Sequence, residues 1–169
     1  MRYLTLVLAL LALPAMAQSE DRGARGGPHN ASAVLSFAQG GLSFGAGYEY
    51  MAQDSIGIGG HFRWFNKEDG PRNASNGYMI IGASAAHHFY KKNWDLSFAP
   101  SFNLINIDNA SATQDDGTTL GPGLSLSLLC ALTDNVAMGF DWSNYWVWFD
   151  SDFAGKRIDD LGVKLRMSF

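Results

Sequence analysis

Apolar and polar residues alternate strictly along the last nine residues of the chain. Leu161, Val163, Leu165, Met167 and Phe169 are apolar, and the four residues between them are glycine, lysine, arginine and serine. A period of two places the apolar side chains on one face of a β-strand and the polar side chains on the other. The segment is therefore predicted to be a strand with one oily face and one polar face.

Seven earlier segments show the same period and are separated by residues that favour turns. Together with the last segment they predict eight strands, at residues 31–38, 42–51, 55–65, 77–90, 94–107, 120–131, 135–148 and 161–169. After the first hairpin, the connections between them alternate between short and long. This pattern predicts an all-β fold over residues 31–169, an eight-stranded antiparallel up-and-down transmembrane β-barrel with an oily exterior and a polar lumen.

Two prolines conflict with this pattern. Pro100 and Pro122 fall inside predicted strands, where each removes a backbone N–H from the ladder, and a closed barrel has no free edge to tolerate the loss. We therefore expect bulges at these positions, or a sixth strand that begins after Pro122.

The first 30 residues have no strand periodicity. Residues 1–17 have the features of a secretory signal peptide, with Arg2 at the start, an apolar run and Ala15-Met16-Ala17 as the cleavage site. The apolar run is shorter than the roughly 20 residues that a membrane-spanning helix needs. Residues 18–30 are polar and glycine-rich, which predicts a flexible periplasmic leader in which His29 has no evident partner.

A chain that ends in an alternating strand with a terminal phenylalanine resembles bacterial outer-membrane β-barrels. By its overall plan it resembles the small eight-stranded family that includes OmpX, Ail, NspA and the OmpA membrane domain. The resemblance implies a Gram-negative outer membrane as the location, outer-membrane lipid and lipopolysaccharide as partners, and a role for Phe169 as the signal that the assembly machinery reads. We also expect the protein to be a monomer.

Charged residues of both signs fall on the predicted inner face. They are Glu49, His61, Arg63, His88, Asp95, Asp141, Lys164 and Arg166. An eight-stranded barrel has an interior just wide enough for side chains to fill. These residues therefore predict a lumen filled by a network of ion pairs, with Asp141 and Arg166 as an expected pair on neighbouring strands. A narrow polar pathway through the lumen is the alternative.

Aromatic residues cluster at the predicted strand ends. Such bands are typical of the two membrane interfaces, where amphipathic rings lie at the level of the lipid headgroups. The periplasmic band is predicted at Tyr48, Tyr50, Phe89, Tyr90, Trp94 and Phe169, and the outer band at Trp64, Trp146, Trp148 and Phe149.

The remaining composition limits the chemistry. A net charge of −4 without a basic cluster argues against nucleic acid as a partner. The single cysteine, Cys130, cannot form an internal disulfide, and the histidines and carboxylates show no metal-ligand spacing, so no cofactor and no metal are expected.

One short segment invites comparison with an enzyme. Residues 141–144 read Asp-Trp-Ser-Asn and resemble the His-x-Ser-Asn of the lipid A deacylase barrels, but Asp141 replaces the histidine base and Ser143 is predicted to face the lumen. No catalytic residue is therefore predicted. The function predicted first is a non-enzymatic barrel that acts structurally or through its surface loops, in adhesion or envelope integrity. A membrane-embedded lipid A acyl hydrolase and a narrow small-solute channel are the alternatives.

Overall fold

The computed structural model describes residues 27–38, 41–68, 75–108, 117–149 and 155–169. The predicted signal peptide, most of the predicted leader and parts of the long connections lie outside the described residues. The described part of the chain forms eight strands, which are β1 (His29–Ala38), β2 (Gly41–Gln53), β3 (Ile56–Glu68), β4 (Ser75–Lys91), β5 (Trp94–Asp108), β6 (Gly117–Ala131), β7 (Val136–Trp146) and β8 (Arg157–Ser168). Among these residues, no helix is long and apolar enough to cross a membrane.

Each strand pairs antiparallel with its neighbour in the chain, and β1 also pairs with β8. The sheet is therefore closed on itself, and every one of these strands has a partner on both sides. This confirms the predicted eight-stranded antiparallel barrel.

The two ends of the barrel differ in their connections. At one end, here called the turn end, residues 54–55, 92–93 and 132–135 join successive strands, and both His29 and Phe169 lie there. At the other end, called the loop end, the connections lie mostly outside the described residues.

Several strands are longer than the alternating pattern indicated. β1 begins at His29, inside the predicted leader, and β6 begins at Gly117 rather than residue 120. The largest difference is in β8, which begins at Arg157, four residues before the prediction, whereas β7 ends at Trp146, two residues short of it. Backbone hydrogen bonds continue the ladder through polar residues, because pairing does not require an apolar side chain on the outer face.

The expectation of bulges at the prolines is wrong. The register of β5 and β6 pairs Pro100 with Leu124 and Pro122 with Phe102 without a shift, and β6 begins before Pro122. Each proline instead lies where the hydrogen-bond ladder to its other neighbouring strand is interrupted, so its missing N–H is not needed there. The pairs of β6 with β7 start only at Gly123, and those of β4 with β5 pass directly from Ser84–Ser101 to His87–Phe98.

The inner face of the barrel is divided into two zones. Near the loop end the lumen is filled by apolar and tyrosine side chains that are at most 1% exposed, here called the loop-end plug, namely Tyr78, Ile80, Ile105, Ile107, Tyr145, Val147 and Ile158. Toward the turn end the inner face is polar and charged. The outer face is reversed relative to a soluble protein, since Phe140 on it is 66% exposed.

Candidate functional site

Asp141 lies at the centre of a buried polar cluster in the middle of the lumen. Its carboxylate accepts a hydrogen bond from Arg63 on β3 at 2.5 Å and faces Lys164 Nζ on β8 at 3.4 Å. The hydroxyls of Ser127 and Ser143 donate to it at 2.6 and 3.0 Å. Both carboxylate oxygens therefore have a cation and a neutral donor, which offsets the cost of removing the charge from water.

Asp160 extends this cluster toward β1 and β2. Ser36 and Ser43 donate to its Oδ2 at 3.1 Å each, and Arg63 Nη1 lies 3.8 Å from the same oxygen. The sequence interpretation missed Asp160 because it assigned residues 149–160 to a loop. Asp160 lies two residues before Gly162, so extending the period of two backward from Gly162 would have placed Asp160 on the inner face.

A second cluster lies at the turn end and is centred on His88. Its Nε2 is 2.7 Å from Glu49 Oε1, and its Nδ1 is 3.0 Å from both carboxylate oxygens of Asp95. Arg166 also donates to Asp95. An imidazole donates to a carboxylate from each nitrogen only when both nitrogens carry a proton.

The two clusters balance in charge when His88 is protonated. The carboxylates of the two clusters are Glu49, Asp95, Asp141 and Asp160, and their permanent cations are Arg63, Lys164 and Arg166. An imidazolium at His88 supplies the fourth positive charge, so the charges of the two clusters balance.

The expected pair of Asp141 and Arg166 is not formed. Arg166 is opposite Ala137 on β7, four residues from Asp141, which is about 13 Å along a strand. Its guanidinium therefore pairs with Asp95 across the lumen, and Arg63 and Lys164 reach Asp141 instead. Glu49, Arg63, His88, Asp141, Lys164 and Arg166 all face the lumen, but they form two clusters rather than one.

His61, the remaining predicted network member, has a different neighbour. Its ring packs against Tyr145 of the loop-end plug, with ring centroids 5.9 Å apart. It lines the lumen between the two clusters and takes no part in the ion pairs described above.

Glycines opposite the long charged side chains provide the space that these side chains need. Gly45 is paired with Arg63, and a Cβ atom at this position would overlap Arg63 Cδ and lie 2.6 Å from the backbone oxygen of Phe62. Gly57 is paired with Met51, but a Cβ atom at Gly57 would overlap the side chain of Glu49, two residues away on the same face. The alternation of small and charged inner-face residues is therefore a packing requirement of the network.

The predicted aromatic bands lie mostly on the outer face. Tyr48, Tyr50, Trp94 and Phe169 are about half exposed at the turn end, and Trp64, Trp148 and Phe149 are exposed at the loop end. Phe89 and Trp146 are half-buried on the same face. Tyr90 was assigned to the wrong face, because its ring stacks on His88 at 5.6 Å in the lumen.

The terminal phenylalanine is held by the start of β1. His29 and Phe169 exchange two backbone hydrogen bonds, of 3.0 and 2.8 Å, and their rings stack at 5.8 Å. His29 Nδ1 also lies 2.6 Å from the hydroxyl of Tyr48. The expectation that His29 has no partner is therefore wrong.

Ser143 is fully buried in the lumen and has no histidine among its described contacts. Its hydroxyl is bonded to Asp141 and to Ser125, the latter at 2.8 Å, and lies 3.4 Å from Arg63. Activation of a serine needs a general base within hydrogen-bond reach, and a lipid substrate would have to reach it from outside the barrel. The Asp141 carboxylate is a base within hydrogen-bond reach of Ser143, but its two oxygens are ion-paired with Arg63 and Lys164, which weakens it as a proton acceptor.

A metal site is not evident either. The described strands and turns contain no group of three or more histidine, cysteine, aspartate or glutamate side chains placed to hold a metal ion.

The sequence interpretation also missed a small set of interacting polar residues on the outer face. Arg157 donates to Asp159 through Nε and Nη2 at 2.9 and 2.8 Å, and Asn144 on β7 contacts the same carboxylate. These residues lie at the loop end, close to Trp146, which pairs with Arg157.

The sequence model of the outer membrane protein beta-barrel domain family matches residues 3–169. No curated protein sequence matches the chain.

Three solved structures share the fold at low sequence identity. Neisserial surface protein A has a TM-score of 0.65 and 17% identity, with 83% of this chain and 95% of that chain covered. Ail, the attachment invasion locus protein of Yersinia pestis, has a TM-score of 0.53 and 12% identity over 83% and 99% of the two chains. The outer membrane enzyme PagL has a TM-score of 0.51 and 10% identity over 83% and 99%. At these identities the likeness concerns the fold alone.

Proposed function

Since this chain belongs to the outer membrane protein beta-barrel domain family, we propose that it is a non-enzymatic integral barrel that acts structurally or through its loop-end surface. Its place is the outer membrane. The proposed role is envelope integrity or adhesion, performed by a monomer whose partners are outer-membrane lipid and lipopolysaccharide.

The observation that supports this proposal most strongly is the filled lumen. The ion clusters around Asp141 and His88 narrow its turn-end part, and the loop-end plug closes its loop-end part. A cavity of about 60 Å³ is lined by residues of both clusters and by Tyr145 of the plug. A barrel filled in this way offers no passage for a solute, which argues against the channel alternative.

The geometry around Ser143 argues against the acyl hydrolase alternative. PagL is an enzyme with the same fold, but the fold is shared with barrels that are not enzymes and does not determine activity. Ser143 faces the lumen and is bonded to a carboxylate and a second serine. The outer-face polar group of Arg157, Asp159 and Asn144 contains no serine, threonine, cysteine or histidine.

We further propose an orientation. The turn end faces the periplasm and the loop end faces the exterior, because barrels of this class have short periplasmic turns and longer outer loops. The predicted signal peptide is then removed after Ala17, and the leader emerges at the periplasmic side. In this orientation Phe169 presents itself to the assembly machinery from the periplasm.

Mass spectrometry of lipid A tests the proposal directly. A Gram-negative host that expresses the barrel should have the same lipid A acyl chains as a host that expresses the Ser143→Ala variant or carries the empty vector. Loss of one acyl chain with the original barrel, and not with Ser143→Ala, would replace the proposal by the hydrolase alternative.

Extraction provides the complementary test of location. The protein should leave the membrane fraction only with detergent, and the unboiled protein should migrate differently from the boiled protein on a gel, because a closed barrel resists unfolding by detergent alone. Recovery of the mature chain as a soluble periplasmic protein would contradict the proposal.

A further inference from the structure

The lumen has one apolar end and one polar end. The seven side chains of the loop-end plug are at most 1% exposed and come from β4, β5, the end of β7 and its continuation, and β8. None of the seven side chains carries a charge, and Lys156 Nζ lies 5.2 Å from the centroid of the Tyr78 ring. An apolar constriction of this kind excludes ions and water even where its atoms are not in perfect contact.

On the turn-end side of the plug, the inner face remains partly accessible to solvent. The side chains of Glu49 and Lys164 are 21% and 20% exposed although both face the lumen. They line the cavity of about 60 Å³, which extends from Asn30 near the turn end to Tyr145 at the plug. This cavity is large enough for a few water molecules and is lined largely by polar side chains.

Two buried guanidinium groups at this cavity have donors that are not used within the described strands. Arg63 Nη1 and Arg166 Nε make no hydrogen bond there, since Asp160 Oδ2 lies 3.8 Å from Arg63 Nη1 and is beyond hydrogen-bond distance, and the two residues are 5% and 4% exposed. A buried cationic N–H without an acceptor costs free energy, and water is an acceptor small enough to enter the cavity.

We propose that the lumen is a blind, water-filled vestibule that solvent enters from the turn end and that the loop-end plug alone seals. The ion clusters then act as a hydrated lining, and the barrier to ions is the apolar plug rather than the ion pairs.

Cysteine accessibility along β4 tests this proposal. Ser84 and Ile80 lie on the same inner face of the same strand, four residues or about 13 Å apart, with Ser84 at the cavity and Ile80 in the plug. Each is replaced by cysteine in a Cys130→Ala background, and the folded protein in detergent is exposed to Ag⁺, a thiol-reactive ion small enough to follow water. The difference in migration between unboiled and boiled samples establishes that each variant has folded.

The Ser84→Cys thiol should react at least about tenfold faster than the Ile80→Cys thiol, because the apolar plug excludes hydrated ions. This result also shows the direction of entry, since an ion that arrived from the loop end would pass residue 80 first. Ile158→Cys on β8 repeats the plug measurement on a different strand.

Two results would overturn the proposal. If neither thiol reacts, the turn-end cluster closes the lumen and no vestibule exists. If the thiols at residues 80 and 158 react as fast as the thiol at residue 84, the plug does not seal the lumen.

Discussion

Asp141 accepts contacts from two cations at once, Arg63 at 2.5 Å and Lys164 at 3.4 Å. Asp141→Ala would leave Arg63, which is 5% exposed, without its main counter-charge. We expect a loss of about 3–5 kcal/mol in the free energy of unfolding, which is the usual cost of breaking one side of a buried pair. Urea unfolding in lipid vesicles measures it.

The control for this prediction is Asp134→Ala, in the exposed turn at residues 132–135, which should change stability by no more than about 0.5 kcal/mol. Replacing Asp141 and Arg63 together by apolar residues should be milder than Asp141→Ala alone. If Asp141→Ala is as stable as the turn variant, the carboxylate does not hold the two cations as described.

The sequence predicted the lumen-facing side of the charged residues within the predicted strands, but it did not predict which of them pair. Alternation places Asp141 and Arg166 on the inner face, and this follows from a period of two. Their pairing depends on the register of β7 with β8, where Arg166 is opposite Ala137. The register of two strands cannot be counted from the sequence when the ends of the loop between them are unknown. Contacts across the lumen, such as that of Arg63 with Asp141, add a second difficulty because they join strands that are not adjacent.

Among the elements, the turn at residues 92–93 contains a backbone strain that can be relieved. Lys92 has φ of 54°, a left-handed conformation that costs an L-residue with a side chain roughly 1–2 kcal/mol. A two-residue hairpin turn with positive φ at its first position favours glycine there.

Lys92→Gly should therefore raise the free energy of unfolding, by about 0.5–1 kcal/mol after the entropic cost of glycine is subtracted. Asn93→Gly in the same turn is the matched control and should be neutral or destabilising, since Asn93 is not in this conformation. Equal effects of the two substitutions in urea unfolding would show that the φ angle of Lys92 is not the cause.

Phe169 directly follows strand β8, and its removal affects both β8 and β1. Deleting Phe169 removes both backbone hydrogen bonds to His29 and the ring that stacks on it. We expect a markedly lower yield of folded barrel in cells with unchanged synthesis, measured by the gel shift of unboiled membrane fractions. Phe169→Tyr keeps the ring and the backbone, and should restore the yield. An unchanged folded yield of the truncated chain would count against a role for Phe169 in assembly.

Element boundaries were the part of the fold that the side-chain pattern could not predict. The polar residues Arg157, Asp159 and Asp160 have the composition of a loop, yet they belong to β8 because their backbone pairs with β7. Similarly, Pro100 and Pro122 suggest breaks, but each lies where one of its two ladders is already interrupted. Pairing is decided by the neighbouring strand, and that information is absent from a single segment.

For the molecule as a whole, the apolar closure that the described residues form in the lumen predicts its electrical behaviour. The loop-end plug closes the lumen above the ion clusters. The purified barrel should therefore show no steady conductance in planar lipid bilayers. A reproducible open state would favour the small-solute channel over the structural function.

The sequence predicted the closed barrel correctly but did not predict the plug. Eight alternating segments and an aromatic terminus are sufficient for the architecture, because a barrel is the way in which such strands satisfy all backbone groups in a membrane. The plug arises where both faces of a strand are apolar, as at Met79, Ile80 and Ile81. An apolar residue on the inner face gives no signal in a pattern interpreted only as oily outside and polar inside.

The pairing of β1 with β8 also has a consequence for the order of folding. Hairpins such as β2 with β3 close through two-residue turns, whereas the contact of Asn30 with Ser168 joins residues 138 positions apart. Closing a flexible loop of that length costs about 3 kcal/mol more chain entropy than closing a four-residue turn. We therefore expect the hairpins to form first and the circle to close last. Until β1 pairs with β8, the free edges of these two strands expose unpaired N–H and C=O groups. The chain is most liable to aggregate before this pairing forms.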